Sequence, residues 1–144
     1  MVQPGDRPLR ILFICIGNAC RSQMAEAWAN HFGKGKVQVF SAGTCPLGMI
    51  VAETFEVMDE KGVSLEGQCS KRLRNVPVAE MDVVVGMGPE VAWRAPTGFQ
   101  GRTIEWNVPD PYSRGMDFFR NVRDMIERQV LGLLAEFVDP PEST

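Results

Sequence analysis

The sequence predicts an α/β fold in which a mostly parallel sheet has helices on both sides. Apolar, strand-like runs alternate along the chain with segments of helical periodicity. The first run leads directly into a tight loop and a helix, and no internal repeat or change of composition divides the 144 residues. Strands joined in this way pair in parallel through right-handed crossovers, and ligands bind beyond their carboxyl ends.

The first half of the chain predicts two strands separated by one helix. Residues 10–15 form a β-favouring apolar run, as in a strand that is covered on both faces. A helix is expected over about 22–32, because apolar residues recur at steps of three and four, with Ser22 as its cap and Gly33 as its stop. Residues 37–42 alternate like a second strand.

The second half repeats the alternation and ends in the clearest helix. Residues 81–86 and 102–106 predict the third and fourth strands, and 64–74 are polar and irregular. A short helix is expected over 89–93. A longer one is expected over about 48–61, with an inner stripe of Ile50, Val51, Phe55 and Met58. The last helix, over about 116–137, has an apolar stripe and a solvated face made by Arg120, Arg123, Asp124, Glu127 and Arg128.

Composition limits the class of protein. With 44% hydrophobic and 23% charged residues, the chain predicts one domain over 9–138, with flexible tails at 1–8 and 139–144. A net charge of −3 gives no electrostatic reason to expect nucleic acid or an anionic membrane as partner. No apolar run is long enough to span a bilayer, and the amino-terminal residues lack the apolar core of a signal peptide. A cytoplasmic protein is expected.

The cysteines point away from a metal centre. Cys15, Cys20, Cys45 and Cys69 do not fall into paired knuckles, and His31 is the single histidine. A chain of this length and apolar content also needs no disulfide scaffold. We expect neither a metal nor an organic cofactor.

Residues 15–22, which read Cys-Ile-Gly-Asn-Ala-Cys-Arg-Ser, predict an anion-binding loop with a reactive sulfur. The five residues between Cys15 and Arg21 can wrap backbone N–H groups around a tetrahedral oxyanion, and the guanidinium can close the ring. Gly17 and Asn18 tolerate unusual backbone angles. The same donors, the helix amino terminus and Ser22 favour the thiolate, which would attack a phosphate monoester and form a phosphocysteine.

Such a reaction needs a proton for the leaving group and a base for the incoming water. Asp110 lies between two prolines in the turn after the fourth strand. Because the carboxyl ends of parallel strands meet at one edge of the sheet, this turn is expected beside the anion-binding loop. The sequence therefore predicts Asp110 as general acid and base.

The chain resembles the low-molecular-weight protein tyrosine phosphatases and the arsenate reductases that share their fold. The matching segments are residues 15–26, 41–44 and 110–112. The resemblance implies a three-layer fold with a four-stranded parallel sheet flanked by helices. It also implies Cys15 as nucleophile, Arg21 as transition-state clamp and Asp110 as general acid. It assigns the phosphate-binding loop to Ile16, Gly17, Asn18, Ala19, Cys20 and Ser22, with Ser41 supporting the loop and Tyr112 flanking the substrate.

The two branches of this superfamily predict different reactions. Hydrolysis of a phosphorylated protein or a small phosphomonoester is the first expectation. An arsenate reductase is the second, because Gln23 and residues 67–71 resemble that branch, and a non-catalytic phosphate-binding regulator is the third. Residues 87–96, however, lack the two cysteines that thioredoxin-coupled reductases use; Pro89 and Trp93 stand there. The reductase would therefore need an external thiol donor. Cys45 and Cys69 are expected to be buried or inert, and Cys20 could form a protective disulfide with Cys15.

Overall fold

A computed structural model describes residues 7–138 and contains a four-stranded, entirely parallel sheet. The strands are β1 (Leu9–Cys15), β2 (Val37–Gly43), β3 (Val83–Gly86) and β4 (Arg102–Glu105). Their spatial order is β2-β1-β3-β4, so β1 is a central strand. The predicted fold class and all four strands are confirmed.

The register brings the last residues of the strands to one edge of the sheet. Cys15 is opposite Gly43 of β2. Ile14 is opposite Gly86 of β3, which in turn is opposite Glu105 of β4. The loops that follow all four strands therefore open on the same edge, and this edge contains the residues predicted to carry the chemistry.

Three α-helices cover one face of the sheet. They are α1 (Arg21–Phe32), α2 (Ala52–Asp59) and α3 (Met116–Phe137). Ile11 and Phe13 of β1 pack in one core cluster with residues of all three helices. The opposite face, which includes Leu12 and Ile14, packs in a smaller cluster under the short 3-10 turns Leu73–Asn75 and Val78–Glu80. These turns and their flanking loops form the third layer, so the expectation of helices on both sides of the sheet is met on this face only by short 3-10 turns.

Several details of the predicted elements are wrong, each because tertiary contacts override a local pattern. The helix over 89–93 is absent, and α2 begins at Ala52 and leaves Phe55 46% exposed while Thr54 is buried. Ser22 does not cap α1. Arg123 belongs to the buried side of α3, where its guanidinium bonds the Val57 carbonyl and the Glu60 carboxylate.

The amino-terminal segment is attached to the sheet at Arg7. Its guanidinium makes a two-pronged bond to Asp82, which also accepts the backbone N–H of Arg10. Burial opposes the ionisation of Asp82, but these bonds hold its pKa below the ordinary value. The remainder of the predicted tails, residues 1–6 and 139–144, lies outside the described residues.

Candidate active site

The loop that connects β1 to α1 turns its carbonyl groups outward. The carbonyls of Cys15, Ile16 and Gly17 accept the backbone N–H groups of Thr44, Cys45 and Leu47 respectively. The Asn18 carbonyl accepts from the Gln23 side chain, and the Cys20 carbonyl accepts the Met24 N–H. The Ala19 carbonyl accepts both the Val51 N–H and the Thr54 hydroxyl.

With its carbonyls engaged on the outside, the loop presents its N–H groups to the inside. Within the described residues, no amide N–H of 16–20 donates a hydrogen bond. The first N–H groups of α1 likewise have no partner within the helix. A ring of amide donors above a sulfur atom is a site for a tetrahedral oxyanion.

Two residues fix the shape of this loop. Asn18 takes the left-handed conformation, with φ of 49°, whereas Gly17, contrary to expectation, does not have a positive φ. The end of β2 requires a glycine at position 43, because the loop backbone passes close to it and a Cβ there would lie 2.4 Å from the Ile16 carbonyl oxygen. A Cβ on Gly17 would meet only ordinary contacts, at 3.8 Å and 3.9 Å.

A chain of buried polar groups supports Cys15. Its Sγ lies 2.8 Å from Ser22 Oγ. The Asn18 amide donates to Ser22 Oγ at 2.7 Å and to Ser41 Oγ at 3.0 Å. Ser41 in turn donates to the carboxylate of Glu26. The structure thus brings together the predicted residues Cys15, Asn18, Ser22 and Ser41.

Arg21 is 2% exposed and is held at one of its terminal nitrogens. Nη1 donates to the carbonyls of Met87 and Val108, at 3.3 Å and 2.9 Å, and to Glu90 Oε1 at 2.5 Å. Among the described residues, no hydrogen bond uses Nε or Nη2, so these two donors remain for an anion. Burial opposes the ionisation of Glu90, but the bond from Arg21 holds its pKa below the ordinary value.

The bond from Arg21 to the Val108 carbonyl ties the clamp to the turn that carries the predicted acid. Asp110 is exposed, and its Oδ1 accepts the backbone N–H of Tyr112 at 3.1 Å. Tyr112 is 52% exposed at the same turn. The predicted acid and the predicted flanking aromatic are therefore both exposed, on the turn that Arg21 contacts through Val108.

The other cysteines differ from Cys15 in their surroundings. Cys20 is buried, and burial raises the pKa of its thiol to about 12. It therefore stays protonated at neutral pH. Cys45 and Cys69 are both exposed, so of the expectation that they are buried or inert, burial is wrong and inertness stays a prediction. Both lie on segments that bond the loop or the start of α1, because Cys45 N–H donates to the Ile16 carbonyl and the Cys69 carbonyl accepts from the Gln23 side chain.

Sequence reasoning missed three residues of this site. Glu90 reaches Arg21 from the loop after β3, and Gln68 bonds Gln23 from the segment before the first 3-10 turn. No local pattern reveals such contacts across 45 residues or more. Glu26 carried a usable signal, since it is a carboxylate one turn beyond Ser22 on a helix side that is otherwise buried.

A family model matches residues 10–140 and describes the low molecular weight phosphotyrosine protein phosphatases. The chain belongs to this family. A curated relative from Synechocystis, a glutaredoxin arsenate reductase, is 30% identical over 88% of this chain and 97% of its own. A solved arsenate reductase in its phosphate-binding state is 31% identical with a TM-score of 0.82, covering 89% and 98% of the two chains.

The solved structures that share this fold also include a tyrosine phosphatase. A tyrosine phosphatase of Erwinia amylovora has a TM-score of 0.80 over 94% of this chain and 97% of its own, at 22% identity, which shows the shared fold.

Within residues 7–138, no cluster of three or more histidine, cysteine or carboxylate side chains is arranged to hold a metal ion. None of the helices in that range has the length and apolar character required to cross a membrane.

Proposed function

We propose that this family member is an arsenate reductase that uses Cys15 as nucleophile and an external thiol as reductant. The observation that carries the proposal is an oxyanion cradle with a thiol at its base, in a chain 30% identical to an arsenate reductase over nearly all of that relative. Arsenate and phosphate have the same tetrahedral shape, so the cradle itself suits either. The similarity to arsenate reductases supports this activity over phosphatase activity, which the sequence analysis put first.

In the first step, the Cys15 thiolate attacks arsenic(V). An As–S bond forms and an As–O bond breaks, and the departing hydroxide takes a proton from Asp110 and leaves as water. The loop amides and the two unoccupied nitrogens of Arg21 stabilise the remaining oxygens as charge shifts among them.

In the second step, a donor thiolate attacks the Cys15 sulfur. A disulfide forms between donor and Cys15, and the electron pair of the As–S bond stays on arsenic, which leaves as arsenite, arsenic(III). A second donor thiol then attacks the mixed disulfide, and the products are the Cys15 thiolate and an oxidised donor disulfide. The Synechocystis relative is a glutaredoxin arsenate reductase, which supports a donor of the glutathione and glutaredoxin class for this chain.

An external donor is favoured because neither Cys20 nor the segment after β3 supplies a reactive thiol. Cys20 is held protonated by burial, and residues 87–96 contain no cysteine. Cys45 and Cys69 are exposed, and they are the internal alternatives. The double variant Cys45→Ser, Cys69→Ser is expected to retain arsenate reduction with glutathione and glutaredoxin. Loss of turnover in this variant, with Cys15 still reactive, would assign the resolving role to one of the two.

Phosphomonoester hydrolysis is the second candidate, favoured by the Asp-Pro-Tyr turn at 110–112 with its exposed aromatic ring. Water would then release a phosphoryl group from Cys15, with Asp110 as base. The third, a non-catalytic phosphate-binding regulator, has less support because Cys15, Arg21 and Asp110 are all present.

The deciding experiment assays both reactions on one reduced preparation. Arsenite formation is measured with glutathione and glutaredoxin and without them, and p-nitrophenyl phosphate hydrolysis is measured at mildly acidic pH. Thiol-dependent arsenite formation that is lost in Cys15→Ser supports the reductase. Hydrolysis without arsenite formation would replace it by the phosphatase, and phosphate binding with neither reaction would leave the regulator.

A further inference from the structure

The turn that carries Asp110 also carries an arginine that the reaction described above does not use. Arg114 is exposed and lies four residues after Asp110, just before α3. Its backbone N–H donates to the Pro111 carbonyl at 3.0 Å, which closes a four-residue turn. Within this turn Ser113 takes the left-handed conformation, with φ of 64°, which is uncommon for a residue with a side chain. The turn therefore has a defined shape, and Arg114 has a defined place on it.

The Arg114 guanidinium is held through its face and is open at its edge. Its Cζ lies 3.9 Å from the centre of the Phe118 ring, which is a cation–π contact. Phe118 is partly buried and packs against the core cluster of the three helices, so the ring is a firm support. A guanidinium has its five N–H donors in its plane, so a contact through the face leaves them available. Within residues 7–138, no hydrogen bond or ion pair uses these donors.

The carboxylates nearest to Arg114 along the chain are engaged with other groups. Asp117 pairs with Arg120 at 2.9 Å. Asp110 accepts the Tyr112 N–H at 3.1 Å. The positive charge of Arg114 is therefore available to an anion from solution, and the planar guanidinium can form two parallel bonds to a carboxylate.

Arg114 also lies where a small thiol donor must arrive. Arg21 bonds the Val108 carbonyl, so the segment that leads into this turn contacts the cradle. The donor sulfur has to reach Cys15, which is 2% exposed, and the rest of the donor then contacts the residues around the opening. An extended tripeptide spans roughly 10 Å, so glutathione with its thiol at Cys15 has its end groups outside the cradle.

The charge around the site makes a cation useful to such a donor. The chain has a net charge of −3, and Glu90 and Asp110 are exposed beside the cradle. Glutathione has two carboxylates and one ammonium group. The ammonium lies next to the γ-glutamyl carboxylate, whereas the glycyl carboxylate has no internal partner. A guanidinium near the opening would bind this second carboxylate and offset the repulsion.

We propose that Arg114 determines specificity for the thiol donor by binding the glycyl carboxylate of glutathione while the donor sulfur attacks Cys15. This inference deepens the proposed function and rests on its use of an external thiol. It assigns the site to an anionic low-molecular-weight thiol, in preference to an uncharged one.

The test follows the attack of a thiol on Cys15 in the absence of arsenate. In a variant with Cys15 as its single cysteine (Cys20→Ala, Cys45→Ser, Cys69→Ser), dithiodipyridine converts Cys15 to an uncharged pyridyl disulfide. The donor thiolate attacks the Cys15 sulfur, a new disulfide forms, and the electron pair of the old S–S bond leaves with pyridinethione, whose absorbance gives the rate. Glutathione, its glycyl ethyl ester and mercaptoethanol are compared.

Arg114→Gln in this variant is expected to slow the reaction of glutathione about three- to tenfold and to leave that of mercaptoethanol unchanged. The ester should react slowly with natural Arg114 and show no further loss in Arg114→Gln, because both changes remove the same pair. Arg114→Lys, which keeps the charge without the planar fork, should lie between. Arg128→Gln removes an exposed arginine roughly 18 Å further along α3 and serves as control.

Equal losses with glutathione and mercaptoethanol would overturn the proposal, because they would show that Arg114 only shapes the turn through Phe118. An unchanged glutathione rate in Arg114→Gln would also overturn it. Circular dichroism establishes that each variant is folded, and if Arg114→Gln is not, the ratio of glutathione to its ester with natural Arg114 decides. Since no arsenate is present, the preference for glutathione can hold where arsenite formation fails, and the preference can fail where arsenite is formed.

Discussion

The contrast between two glycines tests whether the oxyanion cradle is formed as the structure describes it. Gly17 lies in the loop itself and Gly43 lies outside it, at the end of β2. A Cβ on Gly43 would lie 2.4 Å from the Ile16 carbonyl oxygen and 3.1 Å from the Asn18 backbone nitrogen. Both neighbours are backbone atoms, so Gly43→Ala must displace the strand end or the loop.

The size of the effect follows from this overlap. Overpacking against atoms that cannot rotate away typically costs about 1–3 kcal/mol, and we expect about 2 kcal/mol for Gly43→Ala. Displacement of the Asn18 N–H and its neighbours also removes donors from the cradle. Each charge-assisted bond to an oxyanion contributes roughly 1.5–3 kcal/mol, so phosphate affinity should fall at least about tenfold.

The matched variant is Gly17→Ala, whose Cβ would meet only the Leu47 and Ala19 side chains at ordinary distance, on a backbone without positive φ. We expect its unfolding free energy to change by less than about 1 kcal/mol and its phosphate affinity to be kept. Urea unfolding gives the first quantity, and calorimetric titration with inorganic phosphate gives the second. Equal losses in both variants, or a larger loss in Gly17→Ala, would refute the reasoning.

Three further predictions rest on charge and burial. Glu90→Gln removes a negative charge that pairs with the loop arginine, so phosphate should bind about three- to tenfold more tightly at low salt, whereas Glu80→Gln at the far end of the sheet should have no effect. Weaker binding would mean that Glu90 chiefly holds the arginine in place. The pKa of Cys20, raised to about 12, means that the folded state keeps a proton that the unfolded state releases from about pH 9, so stability falls as the pH rises through this range. By pH 10 the loss should amount to roughly 1–2 kcal/mol, and Cys20→Ala should remove it from urea unfolding curves; an unchanged slope would contradict the assignment. Arg123→Met on the buried side of α3 should lower the unfolding free energy by about 2–4 kcal/mol. Arg120 bonds the same carboxylate from a half-exposed position, so Arg120→Met should have a clearly smaller effect. Similar losses in both would refute the role of burial.

The structural features that depend only on residues adjacent in sequence were predictable from the sequence. The apolar run of β1, the loop of residues 15–22 and the start of α1 follow one another without interruption, so strand, cradle and helix are local properties. The position of Asp110 after β4 follows from the rule that parallel strands share a carboxyl edge. Ser41 and Gly43 lie in the segment 41–44 that resembles the family, so they could be identified without knowledge of any tertiary contact.

What the tertiary structure decided involves residues that are far apart in sequence. Glu90 meets Arg21 across 69 positions, and Arg123 meets Val57 across 66. A helical pattern put Arg123 on the solvated side, because periodicity gives the faces of a helix but not the neighbouring helix, here α2, that covers one of them.

The direction in which the loop carbonyls point is the clearest case of this division. The sequence determined that residues 15–21 could bind an oxyanion, since the spacing of Cys15 and Arg21 fixes the size of the ring. Only the tertiary structure decided that the N–H groups of this ring point inward. Segments 44–54 and 68–71, which are remote in sequence, bind the carbonyls and polar side chains of the loop from outside. A peptide bond whose C=O is held on one side presents its N–H on the other.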